Sequence, residues 1–223
     1  MAKKDVLAEG IDLYKRSEYA ASLAFFLSLP DDSADSIELA YYIGLCYAKL
    51  ERYEDALLYL EQVVTAGQSV DRVLQCRFLL AVIYTLSGRK KLADYELQKL
   101  LESKYRPASV YAALAYNAWG QNDAELSLSY YKKALEIDPE NPTALNGMGY
   151  VLACENRDLT SALTFCKRAL KKAPDSAACL DSVGWVYLKL GLLEEANKFL
   201  NLAKERMPDN EEILEHIRLA QAD

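Results

Sequence analysis

Residues 131–149 read Tyr131-Lys132-Lys133-Ala134-Leu135-Glu136-Ile137-Asp138-Pro139-Glu140-Asn141-Pro142-Thr143-Ala144-Leu145-Asn146-Gly147-Met148-Gly149. Ile137-Asp138-Pro139 ends a helical pattern, because proline lacks an N–H and clashes with the preceding turn. A new helix starts at once. Asn141 is a good N-cap and Pro142 suits a first helical turn. Gly149 then follows Met148 and precedes Leu152 by three places. A small residue held between larger apolar ones lets two helices approach closely. The stretch predicts a helix, an abrupt joint and a second helix with a close contact point.

Working outward, counterparts of Gly149 recur as Gly10, Gly44, Ala81, Ala115 and Gly184, giving steps of 34, 37, 34, 34 and 35 along the chain. Three places after each come Leu13, Tyr47, Tyr84, Ala118, Leu152 and Tyr187. One place before stand Glu9, Ile43, Leu80, Leu114, Met148 and Val183. A second small set follows twelve places on: Ser22, Ala56, Ala93, Ser127 and Ala196. Its fifth member, Ala162, comes one place late, so that repeat carries an inserted residue near Asn156-Arg157-Asp158. Four places beyond the second set lie Phe26, Leu60, Leu97, Tyr131, Cys166 and Leu200. Three further come Leu29, Val63, Leu100, Ala134, Ala169 and Ala203. Spacings of three and four mark one helical face. Ala173-Pro174-Asp175 and Met207-Pro208-Asp209 end helices as Pro139 does, and Lys171-Lys172 suit a helix C-terminus. Arg52-Tyr53, Gly88-Arg89, Gln121-Asn122-Asp123 and Gly191-Leu192 mark turns inside the pairs.

A period near 34 residues resembles the tetratricopeptide repeat family. The likeness rests on Gly44-Leu45-Cys46-Tyr47, Tyr53-Glu54-Asp55-Ala56-Leu57, Tyr131 to Pro139, and Asp181 to Gly191 with Glu194-Glu195-Ala196. The last two repeats are similar to those of bacterial members. The resemblance implies an all-α, right-handed solenoid of antiparallel helix pairs with about 13 helices. Its repeats run over 3–36, 37–70, 74–107, 108–141, 142–176 and 177–210, as one domain over 1–223. Two repeats depart from the pattern. Glu9 stands where an apolar residue is usual, which fits an N-terminal cap facing water. Arg77 stands at a bulky apolar place, and the lead-in from Thr65 to Asp71 predicts a displaced or lengthened joint. Residues 211–222 place Ile213, Leu214, Ile217 and Ala220 on one side, which reads as a capping helix over the last pair.

Composition agrees. The 223 residues contain only 9 Gly and 6 Pro, so turn-rich sandwiches and barrels are disfavoured. Lys+Arg 26 against Asp+Glu 33 leaves a net charge of −7, a poor balance for binding nucleic acid or anionic lipid. No apolar run is long enough for a spanning helix. Met1-Ala2-Lys3-Lys4-Asp5 shows no apolar leader, which points to the cytoplasm, with the periplasm as the alternative if a signal has been removed. Cys46, Cys76, Cys154, Cys166 and Cys179 are odd in number and lack Cys-x-x-Cys spacing, so they read as packing residues without a metal or a disulfide framework.

No catalytic or cofactor motif emerges. Gly147-Met148-Gly149 follows no strand and lacks a third glycine. His216 reads as a surface residue of the capping helix. Basic runs at Arg89-Lys90-Lys91, Lys132-Lys133 and Lys167-Arg168 read as solvated outer faces, and no cofactor is expected. Function is sought instead on the stripe that the resemblance implies lines a concave groove. It carries Tyr14, Tyr41, Phe78, Tyr116, Trp119, Asn146, Tyr150, Asp181 and Trp185. Aromatic groups favour protein contacts, and the expected partner is an extended or helical segment with apolar anchors. The competing reading is that these rings pack only against one another. Leu7, Ile11 and Tyr42 occupy places where family members that hold acidic tails carry Lys and Asn, so an acidic-tail clamp is not expected. Alternatives to a monomeric scaffold are an envelope assembly or secretion factor and a self-associating module.

Overall fold

The computed structural model describes residues 6–30 and 34–222. The leader reading at Met1 to Asp5, and the start of the first repeat at residue 3, lie outside the described residues. Thirteen helices and no strand are found among the described residues. They group into two compact units, Met1–Tyr105 and Arg106–Asp223, each taken by itself. The first holds α1 (Ala8–Lys15), α2 (Tyr19–Ser28), α3 (Ser36–Lys49), α4 (Tyr53–Ala66), α5 (Val70–Leu86) and α6 (Lys90–Glu102). The second holds α7 (Pro107–Gly120), α8 (Ala124–Ile137), α9 (Pro142–Cys154), α10 (Leu159–Lys172), α11 (Ala177–Lys189), α12 (Leu193–Arg206) and α13 (Glu211–Ala222). Each odd-numbered helix up to α11 packs on its successor. Within a unit the first helices of neighbouring pairs also touch, α3 with α5, and α9 with both α7 and α11. This is the all-α solenoid arrangement implied by the repeat.

One turn design serves all six pairs. A left-handed residue ends each first helix: Ser17, Glu51, Gly88, Asn122, Asn156 and Gly191, with φ between 54° and 74°. Each lies seven positions after the small residue of its pair, Gly10 through Gly184. The next N–H donates back to the carbonyl five residues earlier: Glu18 to Leu13, Arg52 to Tyr47, Arg89 to Tyr84, Asp123 to Ala118, Arg157 to Leu152 and Leu192 to Tyr187, at 2.7–3.0 Å. That bond satisfies carbonyls the helix end would otherwise leave bare. The inserted residue expected in the fifth pair is visible as a second left-handed position, Asp158 (φ 34°). Asp158 then caps α10 by accepting from the Ser161 N–H at 3.1 Å. Asn141 likewise caps α9, accepting from the Ala144 N–H at 3.0 Å with Pro142 behind it.

Packing explains both small sets. A Cβ added at Gly149 would lie 2.4 Å from Cys166 Sγ and 2.7 Å from the Ala162 carbonyl oxygen. At Gly44 it would lie 2.9 Å from Leu60 Cδ2. Ser22, Ala56, Ala93, Ser127, Ala162 and Ala196 are completely buried on the facing helices. Ser22 Oγ also donates to the Gly10 carbonyl at 2.8 Å, so that hydroxyl is paired inside the contact, whereas Ser127 Oγ is buried without a partner. Phe26, Leu60, Leu97, Tyr131, Cys166 and Leu200 are buried beside them. The cysteines pack as small apolar groups: all five are free, four are buried, and burial pushes the Cys76 thiol up to about 12.

The two unusual places have physical accounts. Gly67, left-handed at φ 65°, caps α4, and α5 is the long helix of its unit at 17 residues. Arg77 lies at the apolar place because Glu96 meets it, with Nη1 and Oε2 2.6 Å apart. Glu9 is exposed, as a water-facing first helix requires.

In the second unit α13 rests on α12 and α11. Its Ile213, Ile217 and Ala220 pack on Ala177, Leu180, Leu200 and Ala203. Asn210 caps it by accepting from the Ile213 N–H at 3.0 Å. One expectation is corrected here: His216 is not a surface residue. It is 5% exposed, because it lies three places after Ile213 and four before Ala220, on the stripe that α13 buries.

Candidate binding site

Three stripe residues fall in the first unit. Tyr41 on α3 is buried; its hydroxyl bonds Gln75 Oε1 on α5, and Arg72 lies over its ring at 5.1 Å. Burial raises its hydroxyl pKa to about 12. Tyr14 on α1 is half-buried against Tyr19, with centroids 5.2 Å apart, and burial again raises its pKa to about 12. Phe78 on α5 is half-buried.

The other six fall in the second unit, where the first helices α7, α9 and α11 lie side by side. Five of them, Tyr116, Trp119, Asn146, Tyr150 and Asp181, line one cavity of about 430 Å³. That size is within the roughly 300–1,000 Å³ of ordinary ligand sites. Tyr116 is 56% exposed at its edge. Trp119 and Tyr150 meet edge to face with centroids 6.2 Å apart, a favourable quadrupole geometry. Asn146 Nδ2 donates to Ser182 Oγ at 3.0 Å, and that hydroxyl donates to the Ala178 carbonyl at 2.8 Å. Asn146 Oδ1 is buried without a partner. Gly147 leaves room for the Tyr131 ring, which a Cβ there would strike at 2.1 Å.

The sixth, Trp185, is covered. His216 stacks on its indole at 4.1 Å between centroids and 18° between planes. The same imidazole is hydrogen-bonded through Nδ1 to both Asp181 oxygens, at 2.9 and 3.1 Å. Burial raises the Asp181 pKa, and the bond to His216 offsets part of that rise. Tyr150 donates its hydroxyl to Glu212 at the start of α13. Burial, then this bond, raises the Tyr150 pKa.

Glu212 and His216 were missing from the sequence-based site. The stripe lies on the first helices of pairs, and α13 belongs to no pair. The signal for His216 was its spacing on the apolar side of α13. The signal for Glu212 was weaker, since a first-turn acid is ordinary at any helix start. The arrangement can bind; it offers no nucleophile–base pair. No group of three or more metal-ligating side chains exists among the described residues. No helix among them is long and apolar enough to cross a membrane.

A family profile described as tetratricopeptide repeat matches residues 7–71 and 112–177. No curated protein sequence matches the chain. Among solved structures, it is similar to a chain of the APC/C Cut9–Hcn1 heterotetramer, with TM-score 0.75 and 16% identity over 99% of this chain and 40% of that one. It is similar to MamA, with TM-score 0.55 and 17% identity over 78% and 92% of the two chains. It is also similar to YrrB, described as a tetratricopeptide protein with an unusual peptide-binding site, with TM-score 0.52 and 20% identity over 82% and 92%. At these identities the likenesses show the fold.

Proposed function

We propose that this chain, which belongs to the tetratricopeptide repeat family, holds an extended or helical partner segment on the inward faces of its first helices. The coarse function is that of a protein–protein interaction scaffold. The finer reading places apolar or aromatic anchors of the partner against Tyr116, Trp119 and Tyr150 in the second unit. Tyr14, Tyr41 and Phe78 form the matching stripe of the first.

One observation carries this reading. The second-unit cavity combines an open aromatic wall with a buried acceptor, Asn146 Oδ1, that has no partner. A buried acceptor left unpaired costs about 1–3 kcal/mol, and a backbone N–H of a bound segment would offset that cost. YrrB, of the same fold, is described as holding a peptide site, which is compatible with such use. Asp181 acts in this reading as the floor, held by His216 with Trp185 stacked behind that imidazole, and Tyr116 and Trp119 make the contact.

The test is photo-crosslinking from benzoylphenylalanine placed at Tyr116, followed by sequencing of the crosslinked segments. Defined segments with apolar anchors are expected, and Trp119→Ala should abolish their capture at a temperature where circular dichroism shows the variant still folded. Capture that survives Trp119→Ala unchanged would refute the reading.

A further inference from the structure

The cavity of the second unit is chemically one-sided. Its lining includes the carboxylates of Asp181 and Glu212 and not one lysine, arginine or histidine. Lys189 lies 4.4 Å over the Trp185 ring, outside that lining. Asp181 is occupied by His216. Glu212 is exposed, and its bond from Tyr150 uses Oε1. Tyr116 and Trp119 line the same cavity, as does Asn146, whose Oδ1 is buried without a partner.

We propose that this cavity is a subsite for the side chain of a lysine or arginine carried by the partner segment. This rests on the groove reading above and adds the chemistry of the occupant. The aliphatic stem covers Tyr116 and Trp119, as long cationic side chains do on apolar surface. The charged end meets Glu212 and lies against aromatic rings, whose faces attract cations, while Asn146 Oδ1 is left to the backbone N–H of the segment. Each feature selects against the other occupants. A leucine would fill the aromatic wall and leave the Glu212 carboxylate without a counter-charge. An acidic or phosphorylated side chain would face Glu212 with like charge. The net charge of −7 attracts a basic segment at longer range.

The probes are N-acetyl-lysine methylamide and its arginine counterpart, titrated into the full chain and followed by NMR on the Trp119 indole N–H and the Asn146 side-chain amide. The norleucine and glutamate derivatives are the controls. Saturable shifts are expected for lysine and arginine, with norleucine weaker by about fivefold and glutamate silent. Glu212→Gln, which keeps an acceptor for Tyr150, should weaken the lysine derivative by about threefold at an unchanged melting temperature. Added salt should weaken it as well. Equal binding of norleucine and lysine, indifference to Glu212→Gln, preference for glutamate, or no shift with any probe would each overturn the proposal. If the probes fail while Trp119→Ala still abolishes crosslinking at Tyr116, the cationic subsite falls and the groove stands. If crosslinking also survives Trp119→Ala, both fall.

Discussion

His216 on the last helix and Asp181 on α11 are hydrogen-bonded 2.9 Å apart, and both are 5% exposed. The pair joins the end of the chain to the wall of the candidate site. Trp185 stacked on the same imidazole makes it a three-residue lock.

Removing one partner leaves the other buried and uncompensated. His216→Ala should therefore destabilise the chain by about 3 kcal/mol. The double change Asp181→Leu with His216→Leu should cost much less, because apolar groups of similar volume need no partner. Urea unfolding measures both. A double variant as unstable as His216→Ala would contradict this account.

The same carboxyl predicts a pH dependence. Burial raises the Asp181 pKa in the fold, whereas the unfolded chain titrates it near the ordinary value of about 4. Between those values the folded state binds more protons than the unfolded state. Stability then falls as pH rises, so the Asp181 contribution is most favourable at low pH and diminishes as pH climbs through the folded value. Asp181→Asn removes the titration. The stability of wild type relative to this variant should decline as pH rises above the ordinary carboxyl value of about 4, and a flat difference would count against the raised value.

The capping helix covers Ala177, Leu180, Leu200 and Ala203. Terminal repeats of a solenoid need such cover. Deleting residues 211–223 should lower the melting temperature or cause aggregation, read by calorimetry and light scattering, and should increase binding of an apolar dye. A monomer with an unchanged melt would show that α13 is not a cap.

Close helix approach makes the glycines unequal. Gly149→Ala meets a backbone carbonyl as well as Cys166 Sγ, whereas Gly44→Ala meets the flexible end of Leu60. Overpacking of this kind costs about 1–3 kcal/mol, and Gly149→Ala should lie at the upper end. Thermal melts of the two variants decide this, and the reverse order would be wrong for the geometry described.

The helices, their order and their turns were legible from residue spacing. Gly10 to Gly184, the partners Phe26 to Leu200 and the left-handed residues Ser17 to Gly191 all obey one register. Each such contact is made within a pair or between neighbouring pairs, and nearest-neighbour interactions write themselves into a linear sequence as a period. Arg77 was legible as an exception, and its partner Glu96 was not, since pairing across helices depends on the rotation of each helix.

The candidate site was legible only as a stripe. Register assigned Tyr116, Trp119, Tyr150 and Trp185 alike to one inward face. The tertiary structure made them different, leaving Tyr116 open and covering Trp185. The physical reason is that α13 lies outside the repeat, so no period states which surface it buries. Its docking depends on apolar area and two long-range bonds, His216 to Asp181 and Tyr150 to Glu212, joining residues 35 and 62 apart in the chain. The sequence by itself determined a repeating scaffold and the face on which its aromatic residues stand. Only the packing of the last helix decided which of those residues remain free to meet a partner.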